Sequence, residues 1–401
     1  MTTSISVRGR FFWNGDERFL VKGVVYRLHD EQAADPLADA RINDLQRDVT
    51  LFKDLGLNLL FVEHIDPTCN HDQSMKLLAD AGIYVLISLP TAASTTNGAG
   101  TTTMFRIYSP ELLKDCFATI DCMSQYSNTL GLVVANGALS TIYSTAAAPM
   151  IKTVIRDVKK YMATAHDSVG QRRLPVGYSA SNSRLILKST YDYFTSGDLR
   201  EAVDFFCYAN FNWCGQSTMH SSGYDAELKS FQNTQIPVFF SQYGCNLGAC
   251  GNRLFQETSA IYSSAMTSVF SGGIAYEFYD SPDIQSSHWG YGLVRVENVA
   301  VGRGLTKLSD YHNLKSRLEA CEKTLSEQCR PNESTDVEDK SLILNDTPPL
   351  SHHWKAGHAL PYSLADWSGV KRSLGEKLWV DVEYEEVEDI NMDMQPRLIR
   401  A

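Results

Sequence analysis

The chain has no long apolar run. No continuous hydrophobic segment approaches the roughly 20 residues that cross a bilayer, so no membrane-spanning helix is expected. It has no cluster of Lys or Arg either. With 36 basic residues against 47 acidic ones, the net charge is −11, which argues against nucleic acid and anionic membrane surfaces as partners. The residues after Met1, TTSISVRGRFFWNGDERF, are polar and read as two strands of a hairpin, not as the apolar core of a secretory signal. Residues 394–401 lack the apolar tail of a lipid-anchor signal. These two absences give the expectation of an intracellular protein. Metal-ligand spacing is missing as well. Cys69, His71 and Asp72 stand close together without a second cluster, so neither metal nor cofactor is expected. The glycines of 97–103 lack the strand-then-helix setting of a phosphate loop and read as surface loop.

What is present is a regular alternation. Apolar strand segments FLVKGVVY (19–26), NLLFVEHI (58–65), IYVLISL (83–89), LGLVVAN (130–136), LPVGYS (174–179), AVDFFCYANF (202–211), IPVFFSQYG (236–244) and GGIAYEFYD (272–280) follow one another. Between most of them lie segments with helical spacing, at 42–55, 75–82, 109–126, 146–162 and 253–270. Eight such strands over about 320 residues are the count of a (β/α)8 TIM barrel, an α/β fold. The expected division is a barrel at 1–321, a polar linker at 322–350, and a Trp-containing acidic tail at 351–401.

Two strand segments end at polar positions: IPVFFSQYGCN (236–246) and LGLVVANGALS (130–140). With FLVKGVVY, RDVTLFKDLGLN, MKLLADAGIYVLISL, NWCG, MTSVFSGGIAYEF and YGLV, in this order and spacing, they resemble the fungal β-1,3-glucanosyltransferases of glycoside hydrolase family 72. The resemblance spans Ser4 to about Cys321. It implies the same barrel, a nucleophilic Glu at the position of Gln242, and an acid/base Glu at the position of Gly137. Gln242 cannot ionise and Gly137 has no side chain. A retaining glycosidase needs two carboxyl groups about 5 Å apart. The expectation is therefore a catalytically inactive member, a pseudoenzyme with no catalytic residue. Its role would be structural or interactive, with residual β-glucan binding. The alternative is an active β-1,3-glucanosyltransferase of the fungal cell wall.

The resemblance also implies that Asn136, Arg184, Trp213 and Tyr276 keep glycan-contacting positions. It implies an altered cleft at Arg27, Glu63, Asn182, Ala209 and Phe211, with Phe61 and Asn212 changed beside them. Of three disulfides in the family, one pair of positions holds Leu45 and Ser74, and a further position holds Ser196. Cys214 and Cys245 are left as the one possible bridge, which fits a reducing compartment. Read from the residues alone, the nine cysteines are odd in number, and Cys116, Cys122 and Cys207 sit in apolar segments as buried thiols. Glu63, His64 and Asp66 follow a barrel strand. They read either as new acid/base chemistry or as a solvated stretch with ion pairs, Arg27 pairing with Glu63. Trp354, Tyr362, Trp367 and Trp379 punctuate the polar tail. Docking onto the barrel or onto an unknown partner, self-assembly, and plain disorder all remain readings of it.

Overall fold

The computed structural model describes residues 2–28, 35–90, 108–247, 253–280, 290–299, 302–328 and 345–376. It opens with a small antiparallel sheet, β1 (Ser6–Arg8), β2 (Phe11–Asn14) and β3 (Glu17–Phe19). Eight parallel strands follow: β4 (Val21–Val25), β5 (Leu59–Val62), β6 (Tyr84–Ser88), β7 (Thr129–Asn136), β8 (Val176–Ala180), β9 (Phe205–Asn210), β10 (Val238–Tyr243) and β11 (Gly272–Ala275). Each pairs with the next, and β11 returns to β4 with Gly272 opposite Val21, so the barrel closes. All eight expected segments hold a barrel strand. They were legible because parallel strands buried on both faces must be apolar along their whole length.

Helices return the chain between strands: α1 (Ile42–Asp54), α2 (Asp72–Asp80), α3 (Pro110–Ser124), α4 (Ala148–Val169), α5 (Arg184–Phe194), α6 (Met219–Ser222), α7 (Tyr224–Phe231), α8 (Gln256–Ile261) and α9 (Ser264–Thr267). Ser109 caps α3 by accepting from Leu112 N, with Pro110 in the first turn. The single helix expected over 253–270 is two short ones. Ser263 breaks it by adopting extended backbone and capping α9 through Met266 N.

One buried cluster fills the barrel, including Val25, Phe61, Val133, Phe205, Phe239 and Ile274. Ile5, Phe12 and Phe19 of the N-terminal segment join it, and the Phe12 ring lies 5.8 Å from Phe205 and 5.9 Å from Phe239. Phe205 occupies space that a Cβ on Gly177 would take. The small sheet thus plugs the amino end of the barrel and leaves the carboxyl end as the mouth.

Beyond the barrel, β12 (Val294–Val299) and β13 (Gly302–Lys307) form a hairpin, and α10 (Ser309–Gln328) runs on past Cys321. The described part of the tail lies against the outer helices. Trp354 is fully buried beside Tyr193, and Ser363 Oγ donates to Asp157 of α4. Trp367 receives Lys160 Nζ 4.0 Å from its ring centroid, whereas Tyr362 is 94% exposed. Trp379, the acidic residues 381–389 and the glycines at 97–103 lie outside the described residues.

Candidate functional site

The carboxyl ends of the strands are where barrel enzymes place their chemistry. Side chains alternate along a strand, so inward-facing Val25 and Phe61 are followed two residues later by Arg27 and Glu63 at the mouth. Arg27 holds the centre. Its Nε donates to Glu277 Oε2 at 2.6 Å and its Nη1 to Glu63 Oε2 at 3.2 Å, while Nη2 reaches the Tyr276 hydroxyl. Burial alone lowers the Arg27 pKa; the Glu277 hydrogen bond and charge more than reverse this, so the guanidinium stays charged. The Glu277 side chain is 4% exposed and that of Glu63 25%.

The network continues across the mouth. Asn136 Nδ2 donates to Glu63 Oε1 at 3.1 Å. Ser179 Oγ lies 2.8 Å from both Asn136 Oδ1 and Ser241 Oγ. One connected polar path therefore runs from Glu277 through Arg27, Glu63, Asn136 and Ser179 to Ser241, beside Gln242. Gln242 pairs in register with Ala209, and its carboxamide has no hydrogen-bond partner among the described residues. Gly137 sits at φ 68, its N–H bonded to Ser179 O at 2.8 Å, with open space where a side chain would start.

An aromatic wall stands on the Arg27 side. Phe211, Tyr276 and Tyr291 form a triangle with ring centroids 5.9, 5.8 and 5.2 Å apart. A second polar group lies beyond β8 and β9. The carboxamides of Asn182 and Asn212 bond each other at 3.1 Å, and Arg184 Nε stands 3.8 Å from Glu227. Trp213 is buried against Tyr224 at 5.3 Å, and Cys214 is disulfide-bonded to Cys245, tying the loops after β9 and β10 together. Glu63, His64 and Asp66 do not act as one cluster. Asp66 turns to Thr68, whose backbone and hydroxyl hydrogen bonds lower its pKa, while Glu63 faces the mouth.

Several contributors carried no signal in the sequence. Ser179 and Ser241 are small polar residues inside apolar strands, and Tyr291 comes from a loop far along the chain. Glu277, the residue after Tyr276, is one of the two carboxylates that Arg27 binds.

The comparisons with known proteins agree with the barrel fold. Glycoside hydrolase family 72 (Glucanosyltransferase) matches residues 1–322. The chain is 37% identical over 319 residues to the 1,3-beta-glucanosyltransferase GAS5 of Saccharomyces cerevisiae, covering 79% of this chain and 62% of that protein. It is 36% identical over 318 residues to the 1,3-beta-glucanosyltransferase gel1 of Aspergillus fumigatus, covering 79% and 66%. The structure of Saccharomyces cerevisiae Gas2p in complex with laminaripentaose matches with a TM-score of 0.76 at 31% identity, over 92% of this chain and 78% of that one. The chain thus spans 62–66% of the length of these two curated relatives.

Two expectations are corrected here. The relatives are named as enzymes, which overturns the reading of a pseudoenzyme that acts only by interaction. That reading treated Gly137 and Gln242 as decisive, whereas the mouth holds two other carboxylates, Glu63 and Glu277, on one guanidinium. The expectation of an intracellular protein falls with it. Relatives named for 1,3-β-glucan chemistry point to the cell wall or the extracellular side. A chain that spans under two thirds of such relatives carries no argument from its ends.

Proposed function

The chain belongs to glycoside hydrolase family 72, and from that membership we propose that it binds β-1,3-glucan at the barrel mouth and transfers glucan segments between chains. The observation that supports this best is the polar path from Glu277 to Ser241 flanked by the Phe211–Tyr276–Tyr291 wall. Aromatic faces stack on the apolar faces of sugar rings, and a polar path beside them bonds the hydroxyls. Glu63, Asn136 and the unpartnered Gln242 carboxamide supply such groups, with Arg184 and Asn182 extending the surface beyond β8. Retaining transfer takes one carboxylate as nucleophile and another as acid and base. The resemblance puts those roles at Gln242 and Gly137, which do not ionise. Of the two carboxylates on Arg27, the proposal gives the acid and base role to Glu63, the more exposed, and the nucleophile's role to Glu277, which Arg27 must release for the attack.

Incubation with laminari-oligosaccharides and chromatography of the products tests this reading. Products both shorter and longer than the donor are expected, and Glu63→Gln should suppress them while leaving oligosaccharide binding measurable. Unchanged donor after prolonged incubation with folded protein overturns the transfer reading. Failure of titration calorimetry to detect laminaripentaose overturns the ligand class.

A further inference from the structure

A second constellation, outside the polar path of the mouth, joins the β4–α1 and β5–α2 loops to α3. Asp35 Oδ2 accepts from His71 Nε2 at 2.7 Å, and His71 Nδ1 stands 3.4 Å from Cys122 Sγ. Asp35 is itself held by the backbone N–H groups of Leu37 and Asp66, each at 2.8 Å. His71 is fully buried and the Asp35 side chain is 4% exposed. Nε2 of the ring therefore faces Asp35 and Nδ1 faces the Cys122 sulfur. This is the nucleophile, base and orienting-carboxylate order of acyl-transfer triads, with sulfur as nucleophile.

The thiol is reachable. Cys122 is half-buried and lines an open recess of about 570 Å³, together with Thr68, Cys69, Asp72 and Tyr126. Cys69 is exposed on the same recess. By contrast, Cys116 and Cys207 are buried, and burial raises their thiol pKa values to about 12. Burial lowers the His71 pKa, but the bonds to Asp35 and Cys122 outweigh it and push the value up to about 10, so at neutral pH the ring holds a proton on each nitrogen, Nε2 against Asp35 and Nδ1 against the Cys122 sulfur.

We infer that Cys122, with His71 as base and Asp35 positioning it, is a redox-reactive thiol that hydroperoxides oxidise and that Cys69 then resolves into a Cys69–Cys122 disulfide. In the first step the Cys122 sulfur, with the proton of the Cys122–His71 pair held on Nδ1, attacks one oxygen of the peroxide. The O–O bond breaks, Cys122 becomes a sulfenic acid, and the departing hydroxide takes the proton from His71 as water. In the second step the Cys69 sulfur attacks the sulfenic sulfur, the S–S bond forms and a second water leaves. Two thiols are oxidised and one hydrogen peroxide is reduced to two waters. The disulfide between Cys214 and Cys245 takes no part.

The test uses the full chain and stoichiometric hydrogen peroxide, with peptide mapping under non-reducing conditions. A Cys69–Cys122 disulfide is expected. In Cys69→Ser a sulfenic acid at Cys122 should be trapped by dimedone, and His71→Gln should slow oxidation of Cys122 at least tenfold. Because replacing the buried His71 also perturbs packing, the unaltered protein supplies an independent reading. At pH 7 Cys122 should react with iodoacetamide about tenfold faster than Cys69 in the same molecule, since His71 Nδ1 stands against the Cys122 sulfur whereas burial and the charges of Asp66 and Asp35 raise the Cys69 pKa. A Cys122 that reacts more slowly than Cys69, or peroxide treatment that leaves the two thiols unlinked, overturns the inference.

Discussion

Arg27 joins the two carboxylates of the mouth, and its removal is the most informative single change there. Arg27→Ala deletes the guanidinium that Glu277 meets at 2.6 Å, beside a carboxylate only 4% exposed. The expected loss is about 3 kcal/mol, the low end for breaking a buried pair because Arg27 is itself 35% exposed. Urea denaturation measures it. Arg27→Lys should recover only part of the loss, since an ammonium cannot bridge in the fork geometry. Glu227 and Glu257 give a pH dependence. Burial raises each carboxyl from its ordinary 4.5 to about 7. Between those values the folded chain keeps the proton while the unfolded chain releases it. Both groups therefore stabilise the fold below about pH 4.5 and lose that contribution as pH rises through 7. Glu227→Gln should flatten the change in urea midpoint between pH 5 and 7.5, and an unchanged slope refutes the assignment. Arg27, Glu63 and Asn136 are legible through the family resemblance, and each stands at or just past the end of an apolar strand. Glu227 is not, since its acceptance of hydrogen bonds from Tyr208 and Asn210 depends on a helix folding back against β9.

At the scale of elements, legibility follows burial. The barrel strands are apolar throughout and can be read directly, whereas amphipathic segments in the outer layer reveal their existence better than their ends. α8 and α9 show why: the apolar spacing over 253–270 survives a break at Ser263, because both short helices still face the core. The tail is the opposite case. Its few aliphatics give no period to read, yet Trp354 is fully buried against Tyr193 and Lys355 N donates to Thr145 Oγ1 at 2.9 Å. Trp354→Ala should cost about 3–5 kcal/mol, the usual range for a buried Trp truncated to Ala. Tyr362→Ala should stay within about 0.5 kcal/mol, as surface changes do. Thermal denaturation of the two variants in parallel checks both. Equal melting temperatures would mean that the tail leaves the barrel in solution.

Taken whole, the molecule is a barrel plugged at one end, with polar and aromatic groups collected at the other, and this polarity makes ligand binding readable as stability. Phe12 and Phe19 close the amino end, so a sugar chain meets the barrel at the side carrying Arg27, Glu63 and Tyr276. A ligand that binds only the folded chain stabilises it by RT ln(1 + [L]/Kd), about 2.7 kcal/mol at a hundredfold excess over Kd. Laminaripentaose should therefore raise the melting temperature in a concentration-dependent way, while a maltopentaose of equal length and different linkage should not. Phe211→Ala should weaken the shift by removing one side of the aromatic triangle, and Glu63→Ala by removing the acceptor of Asn136. Trp354→Ala should lower the baseline melting temperature yet leave the ligand-induced increment intact, because the tail docks on outer helices and not at the mouth. If laminaripentaose shifts nothing, or if the Trp354 variant loses the increment while Phe211→Ala keeps it, the glucan surface is not the mouth of the barrel.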